Sequence, residues 1–86
     1  MPAKNASSLA FGRAVHTFRV RRGLSQEQAG LTCGVGRGFF GRIERGESSP
    51  SYDTVIKLAD GLEVTAAELV ALADRYRLEQ SSDGSS

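Results

Sequence analysis

The stretch Leu24 to Gly46, LSQEQAGLTCGVGRGFFGRIERG, constrains the fold of this 86-residue chain more than any other. It fits two short helices around a tight corner. Ser25 stands where an N-cap hydroxyl would accept from a free amide of the opening turn, and Gln28 three residues on completes a capping box. Gly34 can take a positive φ without a Cβ penalty, which a sharp corner requires. Beyond it Val35, Phe40 and Ile43 fall on one apolar face, leaving Arg37, Arg42 and Arg45 to point elsewhere. The plan is a helix-turn-helix. Two helices this short need other elements to cover their apolar faces.

Those elements are legible on both sides. A first helix is expected from Ser7 or Ser8 to a stop at Gly23, with Phe11, Val15 and Phe18 as its apolar stripe. The second runs from Ser25 to about Thr32, with Leu24, Ala29 and Cys33 inward. After Gly46, GESSPS interrupts the helical pattern, and Ser51 caps a fourth helix, Tyr52 to Leu62, carrying Val55, Leu58, Ala59 and Leu62. Thr65 caps a fifth, with Glu68 completing the box and Val64 as a hydrophobic staple. Its stripe is Ala66, Leu69, Val70, Leu72 and Ala73, after which ADRYRLEQ turns polar. No internal repeat or strand-like alternation occurs. The expected fold class is all-α with five short helices, helices 2 and 3 forming the helix-turn-helix. The boundaries are a flexible arm at 1–7, the domain at 8–78 and a disordered tail at 79–86.

The net charge of +1 hides an asymmetry. Residues 1–45 hold eight Lys and Arg against two acids, whereas residues 46–86 hold three against eight. A basic first half points to a polyanionic partner, with two solvated faces of opposite sign as the plainer alternative. Apolar runs fall far short of the roughly 20 residues a membrane span needs. The start, MPAKNASSLAFG, has no apolar signal core, and the single cysteine cannot form an internal disulfide, so a reducing cytoplasm is expected. His16 is the only histidine and is read as solvated or phosphate-contacting. Cys33 is read as a small hydrophobe, with a redox switch as the alternative. One His, one Cys and no acid–base constellation leave an enzyme without candidates. GVGRG lacks the preceding strand and following lysine of a phosphate loop. No cofactor, metal or small-molecule ligand is expected.

The segments FGRAVHTFRVRRGLSQEQ and GVGRGFFGRIERGESSPSYDTVIKLADGLEVTAAEL resemble the Xre/Cro-type helix-turn-helix family, lambda-repressor-like domains that include phage repressors and restriction-modification controller proteins. The resemblance covers residues 9–72. It implies that Arg37, Gly38, Phe39 and Arg42 face base edges in the major groove, where an arginine fork can bond guanine O6 and N7. For Arg37 and Arg42 the alternative is phosphate contact, and for Phe39 it is covering the protein's own surface. The resemblance places Ser25 and Gln26 over the DNA backbone, with Arg45 and Ser48 as further phosphate contacts. Arg21 and Arg22 are basic candidates for the same task. Arg19 and Glu44 match an internal salt bridge of related repressors.

The departures concern the same segment. Where the family usually has leucine, alanine and serine, this chain has Ala29, Gly30 and Gly36, and Gly38 and Gly41 lie inside the reading helix. Each interior glycine costs about 0.5–1 kcal/mol relative to alanine, so that helix is expected to depend on Phe40 and Ile43. The resemblance implies a DNA-binding transcriptional regulator acting as a homodimer on a pseudo-palindromic double-stranded operator. Val70, Leu72 and Tyr76 are the candidate dimer surface; the alternative is that Leu69 and Leu72 complete the monomer core and only Val70 and Tyr76 reach a partner. The alternative is an antitoxin-like interaction module whose acidic second half meets a basic partner.

Overall fold

The computed structural model describes residues 5–85. Their order is α1 (Ala6–Arg21), α2 (Gln26–Cys33), α3 (Arg37–Glu44), α4 (Tyr52–Leu62) and α5 (Ala66–Ser85). The fold is all-α, as the patterning implied.

Local chemistry sets most of the boundaries. The Ser25 hydroxyl accepts from the Gln28 amide at 3.0 Å, and the Gln28 side chain accepts from the Ser25 amide at 2.8 Å. The same reciprocal pair opens α5, between Thr65 and Glu68, at 2.9 and 3.0 Å. Ser51 caps α4 through the Thr54 amide. Gly34 closes α2 at φ 72°, in the left-handed region where a Cβ is disfavoured.

Both outer boundaries differ from expectation. α1 opens at Ala6, because the Asn5 side chain accepts from the Ser8 amide at 2.8 Å and caps the helix two residues early. The first helix therefore takes in Ala6 and Ser7 of the stretch read as an arm, and residues 1–4 of that stretch lie outside the described residues. At the other end the helical backbone of α5 continues to Ser85, into the stretch 79–86 read as a disordered tail. Leu78, Glu79 and Gln80 are good helix formers, and extending an existing helix fixes one residue per added hydrogen bond.

The core joins all five helices: Ala14 and Val15 from α1, Ala29 and Cys33 from α2, Phe40 and Ile43 from α3, Leu58, Ala59 and Leu62 from α4, and Leu69 from α5. α1 and α5 share the most extensive contact, and α3 is seated against α1 and α2. Phe11 and Phe18 only flank this core, while the small Ala10 and Ala14 are buried with Val15. Small residues on α1 let α3 approach closely. A Cβ on Gly12 would lie 2.4 Å from the Ile43 carbonyl oxygen. Burial pushes the Cys33 thiol up to about 11, so it is protonated at neutral pH and packs as a small hydrophobe.

Candidate nucleic-acid interface

α3 is anchored by two side chains and open on the other side. Phe40 and Ile43 are fully buried, whereas Arg37, Gly38 and Arg42 are exposed. Gly38 and Arg42 stand one helical turn apart, on the face away from Phe40 and Ile43. A Cβ built on Gly38 meets nothing within 4 Å, so the backbone there is bare. Phe39 flanks this face half-buried, with the Arg42 guanidinium 5.4 Å from its ring centroid. Gly36 precedes the helix at φ 83° and supplies no side-chain cap. The first-turn amides of α3 thus gain no partner from the Gly36 position.

The corner between α2 and α3 explains one departure from the family pattern. A Cβ on Gly30 would fall 2.7 Å from the Gly36 carbonyl carbon and 2.8 Å from the Arg37 nitrogen, both backbone atoms that cannot step aside. Gly30 lets α2 press directly on the start of α3.

Glu44 at the end of α3 is the hub that fixes the angle of the helix. Its side chain is 5% exposed. Arg19 of α1 donates to it through Nε at 2.5 Å and Nη2 at 3.2 Å. The remaining Arg19 nitrogen, Nη1, donates to the Leu24 carbonyl at 2.8 Å. Gln26 of α2 donates to Glu44 through Nε2 at 2.8 Å, and His16 Nδ1 lies 3.6 Å from the carboxylate. One carboxylate therefore ties α1, α2 and α3 together. Burial works to raise its pKa. The hydrogen bonds from Arg19 and Gln26 and the Arg19 charge outweigh that and hold it below the ordinary carboxylate value.

The remaining basic and polar candidates surround this hub unevenly. Arg45 is exposed and lies along Glu47, at 3.1 and 3.4 Å. Ser48 is half-buried in the loop after α3. Ser25 spends its hydroxyl on the α2 cap, and the Gln26 amide nitrogen turns inward to Glu44, a role its position at a helix start did not reveal. Arg21 lies 5.4 Å above the Phe18 ring, and Arg22 pairs with Glu63 at the end of α4.

A family model described as a helix-turn-helix domain matches residues 10–72, which spans every element of this geometry. The chain belongs to the helix-turn-helix family of DNA-binding transcriptional regulators. It is 39% identical over 61 residues to the cryptic phage CTXphi transcriptional repressor RstR of Vibrio cholerae, covering 71% of this chain and 55% of that repressor. It is 36% identical over 59 residues to the uncharacterized HTH-type regulator YazB of Bacillus subtilis, covering 69% of this chain and 86% of YazB. Among solved structures, the restriction-modification controller protein C.AhdI of Aeromonas hydrophila superposes with a TM-score of 0.73 at 34% identity, over 76% of this chain and 98% of the controller. The chain thus spans about half of the phage repressor and nearly all of the controller.

Within this helix-turn-helix domain, the three apolar α5 candidates divide. Val70 is 50% exposed. Leu72 and Tyr76 pack against the core, and the Tyr76 hydroxyl lies 3.0 Å from Thr17 Oγ1 with the Arg13 guanidinium 4.1 Å from its ring centroid. Leu78 adds exposed apolar surface further along the same helix. No spacing rule singled it out, because it sits in the polar run after the stripe.

Proposed function

We propose that this regulator reads a specific double-stranded DNA sequence as a homodimer, with α3 of each copy in the major groove. The observation that carries the reading is the bare face of α3, where Gly38 and Arg42 stand opposite the buried Phe40 and Ile43, with Arg37 exposed at the helix start. That face lets a backbone approach base edges closely while two guanidinium forks reach beside it. Arg37 and Arg42 are the base-reading candidates, and each bidentate contact to guanine is worth about 1–3 kcal/mol of discrimination. Phe39 is the candidate for a thymine methyl. Arg45, Ser48, Arg21 and the opening turn of α2 at Ser25 and Gln26 would supply phosphate contacts. Arg22 would have to leave Glu63 to join them.

Two copies would place their reading helices roughly 34 Å apart, which calls for a pseudo-palindromic site. Val70 and Leu78 are the large exposed apolar groups of α5 available to a second copy, whereas Leu72 and Tyr76 face inward. Selection from random duplexes should enrich two half-sites, each containing guanine. Arg37→Ala or Arg42→Ala should relax the preference at one base pair per half-site. Light scattering of the complex should give the mass of the duplex plus two monomers. Failure to enrich any sequence refutes specific reading, and a monomer both free and bound refutes the dimer.

A further inference from the structure

The loop between α3 and α4 carries Ser48, and the first turn of α1 holds that loop in place. Ser8 is the buried polar side chain of the described residues, 4% exposed, and its hydroxyl lies 2.9 Å from that of Ser49, 41 positions away. The Ser8 backbone is itself pinned, because its amide donates to Asn5 Oδ1. One residue further, Leu9 lies flat against Gly46: a Cβ there would stand 2.6 Å from Leu9 Cδ2 and 3.0 Å from Leu9 Cα. The far end of the loop is closed by Ser51, which caps α4. Gly46 and Ser51 thus bracket the loop, and the Ser8–Ser49 hydroxyl pair ties its middle to α1.

We infer that Ser8 is a positioning residue for DNA binding, acting through Ser49 to hold Ser48 and the adjoining backbone where a phosphate can be met. This rests on the proposed DNA reading. The tie is neither a core contact nor a cap. It joins the start of the chain's first helix to a loop next to the reading helix, and a hydroxyl pair is directional where an apolar contact is not.

The two hydroxyls make a separable test. Ser49→Ala leaves the Ser8 hydroxyl buried without its partner, which lowers Tm. Adding Ser8→Ala removes that orphan and returns Tm towards the wild-type value. If the tie only stabilises the fold, DNA affinity recovers along with Tm. If it positions the loop, affinity stays several-fold weaker in the double variant. The slope of log affinity against log salt stays near the wild-type value, because a serine hydroxyl neutralises no phosphate charge and releases no counterion. Ser48→Ala should then weaken wild-type binding yet add nothing in the double variant.

The probe is labelled random-sequence duplex DNA, titrated between about 50 and 200 mM salt, where phosphate contacts dominate. A double variant with wild-type affinity overturns the positioning role alone, because the wild-type chain still binds. So does an undiminished Ser48→Ala effect in that background. Absence of salt-dependent duplex binding by the wild-type chain overturns the DNA reading together with this inference.

Discussion

Replacing Glu44 by alanine removes the acceptor of three side-chain hydrogen bonds, two from Arg19 and one from Gln26. The Arg19 side chain is only 15% exposed, so its charge would be left largely out of water with the Leu24 carbonyl as its remaining strong acceptor. Breaking one partner of a buried pair costs about 3–5 kcal/mol. The partial exposure of Arg19 argues for the lower end, near 3 kcal/mol. Small domains have about 5–15 kcal/mol in total, so this is a large fraction. At about 4–8 °C per kcal/mol, Tm should fall by roughly 12–24 °C. Thermal and urea unfolding of Glu44→Ala measure it directly. Duplex affinity should fall too, even below the new Tm, because α3 loses its tie to α1 and α2. Replacing the pair by apolar residues, Arg19→Met with Glu44→Leu, should restore much of the stability. A loss below about 0.5 kcal/mol for Glu44→Ala, the range of an ordinary surface change, refutes the hub.

Acid should act through the same carboxylate. The folded pKa of Glu44 is depressed, so its stabilisation is present above the ordinary glutamate value of about 4.3 and is lost as pH falls through the lower, folded value. Between those limits the wild-type chain should lose stability more steeply than Glu44→Gln, and parallel urea midpoints at descending pH would refute this. Gly38→Ala should stabilise the fold by about 0.5–1 kcal/mol, since the Cβ meets open space in a helix interior, yet weaken duplex binding. Unchanged or tighter binding would show that the bare backbone is not used. Gly30→Ala should destabilise by about 1–3 kcal/mol, because its Cβ meets the backbone of Gly36 and Arg37. A wild-type Tm for that variant would mean the corner relaxes freely.

What could be read without coordinates was local. Ser25 with Gln28, Thr65 with Glu68 and Ser51 ahead of α4 are decisions made within four residues, and hydroxyl and amide chemistry settles them there. Gly34 belongs with them, since a left-handed corner depends on one residue's missing Cβ. Asn5 was equally local, three residues from Ser8, and was hidden only because the serines at 7 and 8 are also good caps. The Arg19–Glu44 pair and the exposed arginines of α3 were legible as a pattern shared with a family. Tertiary structure decided which faces meet. Periodicity placed Leu72 and Tyr76 beside Val70 on one helix, but only the position of α1 turns the first two inward and leaves Val70 exposed. Gln26 looked like a backbone-contacting residue at a helix start until α3 brought Glu44 within 2.8 Å of it. Gly12 is unremarkable in sequence and Gly30 stood out only as a departure from the family pattern, because the need for their missing Cβ arises only when another backbone arrives within 3 Å. A helix pattern specifies a direction for each side chain, whereas the distance to the next helix is set jointly by residues far apart in the chain.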